Sequence, residues 1–339
     1  MHIPGFLRGS CFRKGLPALA LLLLSCAGTL AQSKSSTPPA PAPLTAPLPS
    51  PAYTYRDLKD TSRNSYLTLV PAGTPRALIV FLPGFGNLPH QFLRQTKIPE
   101  RAARNGYLVI VPNLYGWNTV YTDSASQERL NDMIQEVMDR YKIWHGNLIL
   151  AGNGLGGSGA ILYAEMANTA NSKFIKPRAL IGIDPPLDLE RAWSVSDEIS
   201  PSHLSVSAAN EAHMLQDMWI KVYHGGLPSQ LQEYRRTSAY SRSLPNGGNA
   251  AYLRSIPIHL YGDPDISWWL DNAGIGIEKT NIADNTALVA QLRLLGNTQA
   301  DFVSCLGKGF GADGRRQPGA ASMVDPEECV QWINHIMGN

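Results

Sequence analysis

Leu148-Ile-Leu-Ala-Gly-Asn-Gly-Leu-Gly-Gly-Ser-Gly-Ala160 is the stretch on which the fold turns. Four apolar residues run into Gly152, a glycine-rich turn follows, and Ile161 to Ala167 continues as a helix former. That is strand, tight turn, helix. As a phosphate loop it fails, because the pattern GxxxxGK[ST] needs a lysine where the helix opens and none is there. As a dinucleotide fingerprint it matches formally. Gly152, Gly154 and Gly157 satisfy G-x-G-x-x-G, and Asp184 closes the next strand, where an acid would hold a ribose hydroxyl. A lone match of this kind is a weak signal. The strand that bears it is normally the first of its domain, and here at least two strand–helix units precede it.

Outward from this turn, strand-like runs alternate with helical ones. Ala77–Leu82, Tyr107–Val111, Leu148–Ala151, Ala179–Ile183, Ile256–Leu260 and Asp301–Ser304 are short apolar runs closed by Gly, Pro or Asp or by a polar residue. Continuous apolar strands belong to a parallel sheet buried on both faces. Between them, Gln127 to Tyr141 places Leu130, Met133, Ile134, Val137, Met138 and Tyr141 on one helical face, and Ala283 to Leu295 repeats the spacing. The last helix opens with Asp325 as N-cap, Pro326 at its first position and Glu328 at its third. The alternation predicts a doubly wound α/β sheet, with Asn64 to Val70 as an antiparallel strand at its edge. From Asp184 to Ser255 no strand-like run occurs. So long an interval predicts an inserted, largely helical cap at about 185–255.

The chain has 339 residues, of which 44% are hydrophobic and 17% charged, with 29 Lys+Arg against 27 Asp+Glu. Arg8, Arg13 and Lys14 belong to a stretch without acids, and without them 26 basic residues face 27 acidic ones. No basic surface results, so nucleic-acid binding is excluded as a function class. Residues 1–31 read as an export signal: a basic start, then an apolar run from Leu16 to Ala27 of about a dozen residues, too short to span a bilayer. Leu23-Leu24-Ser25-Cys26 resembles a bacterial lipobox that would lipidate Cys26, while Thr29-Leu30-Ala31 fits ordinary signal cleavage. The proline-rich residues 32–52 read as an extended tether, and 53–339 as the folded domain. A periplasmic or outer-membrane lipoprotein, or a secreted protein, is expected. Cys305 and Cys329 then form one disulfide or remain two buried thiols.

A third frame for the opening stretch is the nucleophile elbow G-x-S-x-G, a sharp strand-to-helix turn that presents a serine above the sheet. Aligned on Gly152 and Gly156, its centre is Gly154. With Leu82-Pro83-Gly84-Phe85-Gly86 after the Ala77–Leu82 strand, and Tyr261-Gly262-Asp263-Pro264-Asp265 after a later one, the order of elements from about residue 66 resembles the α/β-hydrolase family. That resemblance implies an oxyanion hole from the backbone N–H groups of Phe85 and Leu155. It implies a triad acid at Asp265, with Asp263 as the alternative, and a histidine between Leu306 and Val324. Gly311 to Asp325 is similar to the loop of exported hydrolases that carries H-P-H-S-W. Here Gln317, Pro318, Gly319, Ala320 and Ala321 stand instead, so the histidine position corresponds to Gly319.

Two members of a Ser-His-Asp triad are therefore missing. Ser158, four residues beyond Gly154, is the alternative nucleophile; serines so placed in a helix usually bond a backbone carbonyl. His259 lies inside an apolar strand. His90, His203, His213, His224 and His335 have no partner by spacing. No HExxH, no CxxC and no close His/Asp cluster points to a metal, and nothing calls for a cofactor. Three functions follow. The first is a catalytically degenerate hydrolase that binds a small apolar or aromatic ligand, or a protein partner, in the cleft under the cap. The second is an active hydrolase of esters or amides through Ser158, and the third is nucleotide binding through GNGLGG. For the first, Gly154→Ser with Gly319→His is expected to regain more activity than Gly154→Ser alone.

Overall fold

Leu78–Leu82 and Leu148–Asn153 are buried at every position, which requires packing on both faces of the sheet they share. The computed structural model describes residues 50–115, 119–199 and 206–338. The expected export signal, Cys26, His203 and nearly all of the tether lie outside these residues. In chain order the elements are β1 (Ala52–Tyr55), β2 (Ser65–Leu69), β3 (Leu78–Leu82), α1 (Pro89–Gln95), α2 (Ile98–Arg104), β4 (Leu108–Asn113), α3 (Ser124–Tyr141) and β5 (Leu148–Asn153). Then come α4 (Leu155–Ala167), β6 (Ala179–Ile183), α5 (Leu189–Ile199), α6 (Val206–Tyr223), α7 (Leu227–Thr237) and β7 (Ile258–Gly262). The chain closes with α8 (Ile266–Trp268), α9 (Asn281–Leu294), β8 (Ala300–Ser304) and α10 (Pro326–Met337).

Among the described residues the strands form one sheet in the order β1-β2-β4-β3-β5-β6-β7-β8. From β4 through β8 all neighbours are parallel, and β1 and β2 are antiparallel additions. Alternate side chains go to opposite layers, as the two-residue period of a strand dictates. Leu78, Val80 and Leu82 meet Leu130, Ile134 and Val137 of α3 and Ile161 of α4 in one layer. Ile79 and Phe81 meet Ile98, Ala102 and residues of α10 such as Val330 in the other. Each such side chain contributes about 1.5–3 kcal/mol by leaving water, and Phe81→Ala would cost roughly 3–5 kcal/mol. β5 lies at the centre, so the glycine turn at its end opens over the middle of the sheet.

The helix ends follow local chemistry. Asp123 accepts from Ser126 N and starts α3 three residues before the predicted periodic stretch, and Lys142 ends it in the left-handed region. The expected cap of α10 forms, with Asp325 accepting from Glu327 N. Two expectations need correction. β2 is not at the sheet edge, because β1 pairs outside it through Ala52–Tyr55. Those four residues are largely exposed, so they lack the apolar run that marks a buried strand. Cys305 and Cys329 are both buried free thiols, which leaves the disulfide unformed. Burial pushes them to about 11 and about 12 respectively, so neither is a ready thiolate.

Between β6 and β7 the described residues are helical or irregular. Arg191 of α5 holds this insertion to α9: its Nε donates to both carboxylate oxygens of Asp284 at 2.8 Å, and its Nη1 to Lys279 O at 2.9 Å. Asp284 is fully buried and also accepts from Leu187 N and Asp188 N, so the charge is matched on every side. A second apolar cluster joins this insertion to the sheet top, with Leu155 and Val120 packed among Leu189, Trp219, Tyr223 and Tyr234, and Phe85 against them.

Candidate functional site

The turn after β5 has the backbone of an elbow. Gly154 adopts φ 52 and ψ −126 as the N-cap of α4, a positive-φ conformation that a residue with a side chain adopts only under strain. Its N–H donates to Ile183 O at 2.9 Å. A Cβ on Gly152 would overlap the backbone of Gly156 and Gly157, and one on Gly156 would overlap the carbonyls of Leu82 and Pro83. These two glycines are required by backbone meeting backbone. Gly154 differs. A Cβ there meets nothing within 4 Å, so the central position is open space held by two crowded glycines.

Asn153 ties three segments together beside it. Its Nδ2 donates to Ile183 O at 3.1 Å and to Gly319 O at 3.0 Å, and its Oδ1 would lie 3.1 Å from a Cβ on Gly84. The loop before α10 is thereby brought against the elbow, as the resemblance to α/β-hydrolases implies. Gly319, however, has φ 88, and a Cβ there would lie 2.5 Å from Asp184 Oδ2. A side chain at 319 would therefore require both a strained backbone and a displaced Asp184 carboxyl.

Asp184 is the acid the sequence reading used only for the nucleotide frame. It ends β6 with φ 48, donates its N–H to Tyr261 O, and accepts from Asn281 Nδ2 at 3.1 Å. Burial, with Asp263 and Asp284 nearby, pushes its carboxyl up to about 7 against the opposing pull of Asn281 and Arg191. A carboxyl that titrates near neutrality beside the elbow is a functional-site signal. Asn281 lies 97 residues away in sequence, so no local motif announces the pairing.

No protein-family model matches the sequence, and no curated relative matches it. Solved structures do. MPT51 of Mycobacterium tuberculosis superposes with a TM-score of 0.56 at 12% identity, over 86% of this chain and 98% of that one. A carboxyl esterase of the mycorrhizal fungus Tuber melanosporum gives 0.52 at 13%, over 80% and 81%. An acylaminoacyl peptidase of Pyrococcus horikoshii gives 0.53 at 14%, over 86% of this chain and 41% of the peptidase. This is the α/β-hydrolase fold. At these identities the likeness establishes the fold, and nothing finer.

In the turn after β7, where the resemblance places a triad acid, both acids are engaged. Asp263, with its side chain fully buried, is ion-paired to Arg316 Nη2 and accepts from Gly307 N at 3.0 Å and Gly309 N at 3.3 Å. Asp265 caps α8 by accepting from Trp268 N at 3.0 Å and lies 3.3 Å from the same Arg316 nitrogen. A guanidinium from the loop before α10 thus meets the carboxylates. The hydroxyl of Ser158 is buried and donates to Pro186 O at 2.5 Å. Leu155 opens α4, so its N–H is one of the unpaired donors of a helix start, and Phe85 follows β3.

The described histidines engage other partners or stand elsewhere. His90 pairs with Tyr53 and His145 with Asp139. His259 stacks on Trp332 of α10 at 4.1 Å, and burial pushes its imidazole down to about 4. Among the described residues no group of His, Cys, Asp and Glu is arranged to hold a metal ion.

Proposed function

We propose that this chain is an α/β-hydrolase-fold protein that has lost Ser-His-Asp catalysis and binds a small apolar or aromatic ligand, or a protein partner, in the cleft under its cap. The observation that carries this reading is Gly154: elbow backbone, open space, and no side chain. A hydrolase of this type needs a nucleophile, a base beside it and an acid that orients the base. Here the nucleophile position is empty, the interval that should supply the base has no histidine, and the acids meet Arg316. The Ser158 alternative gains no support, since its proton points to a backbone carbonyl. The nucleotide reading gains no support from Gly152 and Gly157, whose crowding accounts for both glycines without a phosphate.

Turnover of p-nitrophenyl butyrate by the purified protein tests the reading. The expected rate equals the buffer background and does not change in Ser158→Ala. A rate well above background that Ser158→Ala abolishes would restore the active-hydrolase alternative.

Export is a further part of the proposal, resting on Leu23-Leu24-Ser25-Cys26 and the proline-rich tether. No helix of the described residues is long and apolar enough to cross a membrane, so attachment would run through acylated Cys26, and more than one chain would be needed for firm anchoring. Incorporation of labelled palmitate that Cys26→Ala eliminates is the expected result. A mature N-terminus at Gln32 would contradict it.

A further inference from the structure

Glu165 has no partner. It sits on α4 three turns beyond the elbow, 2% exposed, and neither carboxyl oxygen has a hydrogen bond or a solvent contact. An ionised carboxylate left alone in this way is costly, so burial drives its titration well above the ordinary carboxylate range. Native proteins rarely leave such a group unmatched. The residue lines a cavity of about 320 Å³ between α4, the start of α3 and the helical insertion, whose walls include Leu162, Met166, Glu233, Arg236 and Tyr252. No residue of the elbow lines it. The volume is at the small end for ligand pockets.

The other charges on the wall are already committed. Arg236 pairs with Glu233 through its Nε at 3.0 Å, and Asp123, which also lines the cavity, caps α3. Asp123 and Glu233 against Arg236 give the cavity a negative bias even with Glu165 protonated, which disfavours an anion. Leu162, Met166 and the half-exposed Tyr252 ring supply an apolar flank at the same opening.

We propose that this cavity binds a small organic ammonium ion, its charged head paired with the Glu165 carboxyl once that group turns from its sealed position into the cavity, and its apolar body along Leu162, Met166 and Tyr252. Binding is balanced by a proton. The neutral carboxyl of Glu165 releases its hydrogen to the buffer, and the carboxylate formed pairs with the ammonium. The site stands on residues separate from the elbow and holds whether or not the triad is dead.

Calorimetry with benzylamine at neutral pH, in two buffers of different ionisation enthalpy, tests it, with benzyl alcohol and benzoate as neutral and anionic counterparts. The expected Kd for benzylamine is about 0.1–1 mM, with net proton release on binding. Benzyl alcohol should bind at least ~10-fold more weakly and benzoate not at all. Glu165→Gln keeps the side chain's shape and should abolish both the affinity and the proton release. Thr169→Trp crowds the cavity wall without touching Glu165 and should also block binding, which keeps the test open if the first variant fails to fold. No binding of benzylamine, equal binding by Glu165→Gln, binding without proton release, or benzyl alcohol binding as tightly as the amine would each overturn the proposal.

Discussion

Asn153 donates its side-chain amide to the backbone carbonyl of Gly319 at 3.0 Å, which joins the elbow to the loop where the resemblance places a histidine. The two positions where the resemblance places a serine and a histidine are therefore neighbours through one residue. The geometry also reverses an expectation. With φ 88 at Gly319 and Asp184 Oδ2 where a Cβ would go, Gly154→Ser with Gly319→His should hydrolyse esters no faster than Gly154→Ser alone. The double variant should be less stable by roughly 2 kcal/mol or more. Measured ester turnover that rises on adding Gly319→His would show that the loop moves freely.

The glycines of the elbow should separate cleanly in stability. Gly154→Ser meets no neighbour, so only its positive φ resists, at about 1–2 kcal/mol. Gly156→Ala drives a methyl into the Leu82 and Pro83 carbonyls and should cost more than about 3 kcal/mol or prevent folding. Urea midpoints of the two variants give the comparison. Similar losses would mean that strand and helix are less tightly apposed than the backbone indicates.

Arg316 should matter for stability through one acid more than the other. Arg316→Met leaves Asp263 buried with two backbone N–H donors as its remaining partners, an expected loss of about 3 kcal/mol. Asp263→Asn in the same chain should recover most of it. Asp265→Ala removes a helix cap and a part-exposed contact and should cost about 1 kcal/mol. Thermal denaturation of the parent and these three variants gives the comparison, and an Arg316→Met variant as stable as the parent would contradict the pairing.

Asp184 predicts a pH dependence with a definite sign. Its carboxyl is raised from 3.8 to about 7, so between those values the folded protein keeps a proton that the unfolded chain has released. Its effect on stability is therefore lost as pH rises through that window and is flat above it. Asp184→Asn removes the titration, and asparagine tolerates φ 48 well. The variant should match the parent near pH 4 and exceed it by about 4 kcal/mol near pH 8. A difference that stays constant across the window would show that this carboxyl titrates normally.

Much of the sheet was legible because buried parallel strands announce themselves. β6 matches its predicted span, and β3, β5 and β8 start within a residue of theirs. β1 escaped because Ala52–Tyr55 is short, exposed and preceded by prolines, which read as tether. The elbow was legible because steric crowding demands Gly152 and Gly156 in a local pattern. The Asp184–Asn281 and Arg191–Asp284 contacts were not, since each joins residues more than 90 apart in sequence that only the strand order brings together. Glu165 did carry a signal: it is the one acid in α4, a helix otherwise made of apolar and small residues apart from its serine, and an acid in such a helix must be buried.

The central claim, that no activated nucleophile exists here, is tested most directly by intact-mass analysis after incubation with a fluorophosphonate, which reacts only with an activated serine. A hydroxyl without a base stays protonated near neutral pH, and Ser158 is bound to Pro186 O. The unmodified protein should show no mass increase, and Ser158→Ala should be indistinguishable from it. Stoichiometric labelling of the unmodified protein, lost in Ser158→Ala, would contradict the account.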